Sequence, residues 1–243
     1  MLILYAGQSS KPSGRPNMLT KTEKKTKYNL YWQTRDLDKA DARSRQRSEI
    51  ICRMLGQRKG KLLDVGCGRG WNALYFKEKG FQVDAVDISP EAVEITKQRG
   101  ITVRVLDLEQ DDIRGEYDVI LCLEVLQFVN EPLRVLLKLE SILKDRGELI
   151  LSLPNEFHFL RRLKIFFGQP GLGGFNAPHL RFFHPAEIER LLRHSSLRIV
   201  ETVPVSLISP SQGFSARIGD LLAKLFPGLF SLYIVIKAEK REA

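Results

Sequence analysis

The sequence predicts a doubly wound α/β fold, a mainly parallel sheet with helices on both faces. Three observations predict it. From Lys61 onward, short apolar runs alternate with stretches of helical pattern. Tyr117 to Leu123 is a near-continuous apolar run of the kind found in strands covered on both faces. The first strand, Leu62 to Val65, runs directly into a glycine-rich turn.

The elements follow in order. Ala40 to Leu55 lacks Pro and Gly and repeats Ile50, Ile51 and Leu55 at helical spacing. Leu62–Val65 is a strand, Trp71–Lys79 a helix stopped by Gly80, and Phe81–Asp87 a second strand. Pro90 opens a helix at its favoured first-turn position, and that helix ends at Gly100. Ile101–Leu106 and Tyr117–Leu123 are the third and fourth strands, Pro132–Leu143 a helix, and Glu148–Leu153 the fifth strand. Residues 154–184 break the rhythm with aromatics, histidines and the Gly-rich run 168–174, and read as an inserted cap. A helix over Pro185–His194, a strand over Leu197–Pro204, a helix near Ser215–Leu225 and a strand over Leu232–Ile236 follow. The apolar residues from Phe214 to Phe226 suit a helix packed on the sheet, with a membrane-facing helix as the alternative.

With 243 residues, 43% hydrophobic and 28% charged, the chain is long enough for one well-filled α/β domain. Cys52, Cys67 and Cys122 are odd in number and widely spaced, which favours neither a disulfide framework nor a zinc site. No span of 18 to 20 apolar residues and no secretory pattern is present, so a cytoplasmic location is expected. The net charge of +9 is unevenly placed: residues 1–60 hold 14 Lys or Arg against 5 Asp or Glu, and residues 61–243 hold 24 of each. Residues 1–40 therefore read as a flexible basic arm and residues 41–243 as the domain proper. The arm's charge suits RNA, anionic lipid, an acidic substrate or simple solvation, while a neutral domain gives no nucleic-acid footprint.

The chemistry lies in Asp64-Val65-Gly66-Cys67-Gly68-Arg69-Gly70. Glycines at alternate positions let backbone N–H groups approach a ligand that a β-carbon would block. Twenty-three residues after Asp64, Asp87 ends the second strand, where an acid accepts hydrogen bonds from both hydroxyls of a ribose. Together these indicate a nucleoside cofactor. A dinucleotide site wants GxGxxG, and here the third glycine comes one residue early. Asp64 suits the ammonium of an amino-acid moiety, or serves only to brace the loop. Asp107, ending the third strand, suits an adenine amino group, or is only solvated in its acidic loop. The balance favours S-adenosylmethionine (SAM) over NAD.

On these motifs the chain resembles the class I SAM-dependent methyltransferases from residue 45 onward. Asp64–Gly70 resembles the family's first motif and Val86-Asp87-Ile88-Ser89 its second; Asp107-Leu108 matches the adenine-contacting turn and Cys122–Leu126 the segment lying along the cofactor. The resemblance implies seven strands with the last antiparallel. It also implies that Asp64, Gly66, Cys67, Gly68, Gly70, Asp87, Ile88, Asp107, Leu108 and Leu123 bind SAM. Leu153–His158 and His179–Phe183 are similar to the MetW-like group of small-molecule methyltransferases, some of which act as partners of a biosynthetic enzyme rather than as catalysts. Gln127-Phe128 replaces the Glu-His pair with which some relatives bind a divalent metal, so no metal is expected.

Methyl transfer needs an acceptor held in line with the sulfonium and, for a hydroxyl or amine, a base within reach. His179, in the cap, is the candidate base, with a backbone-bonded loop histidine as the alternative, and His158 is a weaker candidate; His184, before Pro185, helps start the following helix, and His194, near a helix C-terminus, reads as structural. Arg161, Arg162, Lys164 and Arg181 face only Glu156 within the cap, which would suit an anionic acceptor or a solvated rim. The expected partner is a small-molecule methyl acceptor, with no stable nucleic-acid complex. An RNA methyltransferase and a non-catalytic SAM-binding protein are the competing readings, and the sequence is silent on oligomeric state.

Overall fold

The computed structural model describes residues 20–34, 37–168, 179–183, 185–206 and 214–241. Its centre is β4 (Tyr117–Leu123), whose side chains go alternately to the two faces of the sheet. Val119, Leu121 and Leu123 join a core cluster with β1 (Lys61–Val65), α2 (Leu37–Leu55) and α3 (Trp71–Glu78). Ile120 and Cys122 join the opposite cluster with α5 (Pro132–Ser141) and α7 (Pro185–Leu192). Both faces are covered, which is why this strand reads as an apolar run rather than as an alternation.

β2 (Gln82–Asp87), β3 (Thr102–Val105), β5 (Leu143–Pro154), β6 (Leu197–Ser206) and β7 (Ser231–Lys240) complete a seven-stranded sheet ordered β3-β2-β1-β4-β5-β7-β6. The first five strands pair parallel, and β7 runs antiparallel between β5 and β6, as the resemblance implies. The chain passes from β1 towards β3 and then returns to β4, so the strand order reverses beside β1. Ligands bind in such sheets at that switch point, beyond the carboxyl ends of the strands.

Several boundaries differ from expectation. β5 begins at Leu143, five residues early, because Leu143 pairs with Tyr117 across a register shift while Lys144, Asp145 and Arg146 stay exposed. Within the cap, α6 (Phe159–Phe166) was not anticipated. α4 (Pro90–Gln98) begins as expected, with Ser89 capping the N–H of Ala92. α8 (Phe214–Leu225) and the short α9 (Pro227–Phe230) precede β7.

The expectation of a flexible arm to residue 40 needs correction where that arm is described. Lys21–Thr34 is a helix, α1, and α2 already begins at Leu37. Thr20 and Glu23 start α1 as a reciprocal capping box: Thr20 N–H donates to Glu23 Oε2 at 2.7 Å, and Glu23 N–H donates to Thr20 Oγ1 at 3.3 Å. The helix then docks through Lys24 onto two carboxylates of the domain. Residues 1–19, most of the Gly-rich run and His184 lie outside the described residues. Among the described residues no helix is long and apolar enough to cross a membrane.

Candidate cofactor and acceptor site

A cavity opens at the switch point, walled by the glycine loop, the tips of β2, β3 and β4, α1, α2 and the cap residue His179. Gly66, Gly68 and Gly70 have φ of 66°, 53° and 75°, in the left-handed region. A β-carbon on Gly66 would lie 2.5 Å from Val125 Cγ2, and one on Gly70 would lie 2.7 Å from Thr96 Cγ2. The N–H groups of Gly66 and Cys67 donate to Val86 O at 2.8 and 3.1 Å, fastening the loop to β2. Gly68 N–H donates to Asp87 Oδ2 and Ser89 N–H to Asp87 Oδ1, each at 2.8 Å. The two Asp87 oxygens thus accept backbone bonds and keep lone-pair capacity for more. Burial raises the pKa of Asp87, and the N–H groups of Ser89, Gly68 and Ile88 oppose that rise.

Of the predicted cofactor residues, Gly66, Cys67, Gly68, Asp87, Ile88, Asp107, Leu108 and Leu123 line this cavity. Gly70 and Asp64 do not. Asp64 lies beneath the loop, 1% exposed, and accepts from Ala73 N–H, which is the bracing role. Its Oδ2 has no hydrogen-bond partner. Burial, reinforced by the charge of Asp87, pushes Asp64 up to about 7, against the Ala73 N–H and Arg47.

Asp107 is not solvated. Its Oδ2 meets Lys24 Nζ at 3.3 Å and its Oδ1 accepts from Glu109 N–H at 2.9 Å. Glu109 takes Lys24 Nζ at 2.6 Å and the N–H of Asn130 at 2.8 Å. One turn along α1, Tyr28 donates to Phe128 O at 3.3 Å and packs edge-on against the Phe128 ring, centroids 5.7 Å apart. α1 is therefore a wall of the cavity, anchored by an ion-pair cluster over the Asp107–Leu108 turn. Lys24, buried with two carboxylates, has its pKa raised although desolvation alone would lower it. Across the cavity, Arg47 Nη2 approaches Glu124 Oε1 at 3.4 Å, and Glu124 holds a left-handed φ of 58°. Such a conformation in a non-glycine residue is strained, and here it sits on the cavity wall.

His179 reaches the cavity from the cap. Its Nδ1 lies 2.9 Å from Glu156 Oε1, and its ring packs against Phe128 at 5.0 Å and Phe182 at 6.3 Å. The Arg161 guanidinium lies against the other Glu156 oxygen. Leu180 and Arg181 hang from Gln127 O through their N–H groups, so Gln127 anchors the cap by its backbone. Three of the cap cations have separate protein partners: Arg161 is on Glu156, Arg162 Nε donates to Phe157 O, and Arg181 Nε donates to Asn130 O. His158 precedes α6 and is absent from the cavity wall, with its pKa lowered by burial and by Lys164. Among the described residues no group of His, Cys, Asp and Glu could hold a metal ion.

Lys24 and Arg47 were not singled out from the sequence, and Glu124 entered only as part of Cys122–Leu126. The T-x-x-E box at Thr20 was the available signal that a helix begins near Lys21, though not for where it docks.

Comparison with known proteins agrees with this geometry. A family model described as a methyltransferase domain matches residues 35–202. A ubiquinone biosynthesis O-methyltransferase of Xanthomonas axonopodis pv. citri is 30% identical over 175 residues, covering 68% of this chain and 73% of the relative. Another of the same name, from Rickettsia felis, is 30% identical over 150 residues, covering 58% of this chain; the chain spans 62% of that relative's length. Magnesium protoporphyrin IX methyltransferase from Synechocystis, solved with bound SAH, shares the fold at a TM-score of 0.58 and 18% identity, covering 93% of this chain and 90% of that one. With the glycine loop, the acid on β2 and the antiparallel β7 all in place, the chain belongs to the class I SAM-dependent methyltransferases.

Proposed function

We propose that this chain transfers a methyl group to an oxygen of a small hydroxylated acceptor, with His179 as the base that takes the acceptor's proton. One observation carries this reading: the cavity has the glycine loop and Asp87 on one wall and a carboxylate-supported histidine on another. The names of the O-methyltransferase relatives favour an aromatic acceptor of the quinone-precursor type, and the Phe128 ring beside His179 suits a flat ring.

The residues fit SAM. Gly66 and Gly68 of the loop line the cavity, and Asp87 beside them retains acceptor capacity for ribose hydroxyls. Ile88 and Leu108 would flank the adenine, Asp107 would sit at its amino edge, and Cys67, Gly68 and Leu123 would lie along the remainder. When bound there, the cofactor supplies an activated methyl group on a sulfonium. The protein's share is then to position, to exclude water and to move one proton. α1 and His179 wall the cavity. With Glu156 Oε1 2.9 Å from Nδ1, the proton of the acceptor hydroxyl would be taken at Nε2, and the Glu156 carboxylate would balance the imidazolium that forms.

Calorimetric titration with SAM, S-adenosylhomocysteine and NAD tests the cofactor, using wild type and Asp87→Ala. Micromolar binding of both sulfur nucleosides, absent for NAD and weakened about a hundredfold in the variant, is expected. No binding of any of the three overturns the reading. Methylation assays on catechol-type and dihydroxybenzoate-type acceptors test the reaction. Cofactor binding with no turnover on any acceptor would favour a SAM-binding partner protein instead.

A further inference from the structure

α6 is folded inside out. Five of its eight residues are apolar, and none of the eight is buried. At 100° per residue, Phe159, Leu160, Leu163 and Phe166 form one stripe, and Arg161 lies on the opposite side. It is Arg161 that faces the protein, on Glu156. The apolar stripe faces water and continues into Phe167, with Phe166 81% and Phe167 66% exposed.

α8 repeats the arrangement. Its small residues Ala216, Gly219 and Ala223 are buried, while Ile218, Leu221 and Leu225, at i, i+3 and i+7, are exposed. The two helices are joined through aromatic rings: Phe226 stands 6.5 Å from Phe230, and Phe230 stands 6.0 Å from Phe159. An exposed apolar surface of this extent marks an interaction site in a water-soluble fold.

The charges choose the occupant. Arg162, Lys164, Arg217 and Lys224 are exposed on the two helices, and Asp220 is the one acid among the described residues of either. Apolar side chains framed by cations match the boundary between acyl chains and anionic headgroups. A second copy of the same face would bring like charges together. We propose that α6 and α8 form a docking surface for an anionic lipid bilayer, on which the protein rests without spanning it.

The surface adjoins the site, since Arg161 of α6 and His179 of the cavity wall share Glu156. Docking would bring the cap against the bilayer and place the acceptor cavity near lipid-dissolved molecules. The docking itself does not depend on the methyl-transfer reading, which the nucleoside titration tests separately.

Sedimentation of the full chain with vesicles of phosphatidylcholine alone, and with about a third phosphatidylglycerol, tests this. Binding at least tenfold tighter to the anionic vesicles is expected. Phe166→Ser with Phe167→Ser should weaken it about tenfold or more, and Arg162→Glu with Lys164→Glu should do the same while weakening further any residual binding that falls with salt. Circular dichroism and the melting temperature check that the variants fold. If the α6 pair melts lower than wild type, Leu221→Ser with Leu225→Ser on α8 carries the same expectation. Absence of binding to either vesicle, or binding that no variant alters, overturns the proposal. So does light scattering that shows a concentration-dependent dimer abolished by the Phe166/Phe167 variant.

Discussion

Replacing Gly66 with Ala should be among the most damaging single-methyl changes in the molecule. Two separate penalties meet there. An L-residue at a φ of 66° costs about 1–2 kcal/mol. The added carbon would also lie 2.5 Å from Val125 Cγ2, and relieving such overpacking costs about 1–3 kcal/mol. Together they lower the melting temperature by roughly 10 °C for a chain of this length. Gly80→Ala separates the two penalties, because its φ is 90° and nothing lies within 4 Å of the new carbon. It should cost only the conformational part, about 1–2 kcal/mol. Val125→Ala combined with Gly66→Ala should recover the steric part, giving a coupling of about 1–3 kcal/mol in a double-mutant cycle. Urea unfolding of wild type, Gly66→Ala, Val125→Ala, the double variant and Gly80→Ala, with SAM titration of each, is the measurement. If Gly66→Ala costs no more than Gly80→Ala, or if the cycle is additive, the close approach of loop and Val125 is not what requires glycine.

Asp64 is held at about 7 in the folded state against a usual 3.8, so the folded state binds the proton more tightly than the unfolded chain does. Its contribution to stability is present at low pH and is lost as pH rises from about 4 to about 7, by up to about 4 kcal/mol. Asp64→Asn should flatten that slope in urea melts at pH 5, 6, 7 and 8; an unchanged slope refutes the assignment. Lys24→Met leaves Asp107 and Glu109 buried without their cation. It should free α1 to early proteolytic cutting between residues 20 and 36 and cost about 3 kcal/mol, whereas a digestion pattern like that of wild type would mean the ion pairs do not hold the helix. His179→Ala should lower kcat about a hundredfold or more with SAM affinity unchanged. Glu156→Gln should give a smaller loss whose size depends on pH; equal SAM affinity and full activity in both variants would exclude the histidine as base.

The linear motifs were legible because their chemistry is local. The glycine loop and Asp87 are bound together by strand pairing one β-α-β unit long, and the sequence alone positions them. Asp64 was only half legible: its identity stands in the motif, but whether it faces the ligand or the core depends on how α3 and the loop pack over it. Lys24 and Tyr28 were not legible, because their partners lie 83 to 100 residues away and no periodicity records that distance. β5 was cut short in the sequence because Lys144, Asp145 and Arg146 look like a loop. They belong to a strand whose early part is exposed. In α6 the usual guide reverses: apolar spacing identifies a helix but says nothing about which side the protein lies on.

The placement of β7 constrains the order in which the molecule can assemble. The strand fills the slot between β5 and β6, and β6 precedes it in the chain. Strands β1 to β5 can therefore associate as soon as they leave the ribosome, whereas β6 has no pairing edge until residues 231–240 have been made. Until then the edge of β5, with Leu149, Leu151 and Leu153 along it, stands open. A nascent chain paused in that interval would present an unpaired apolar strand, the feature that chaperones bind and that seeds edge-to-edge association.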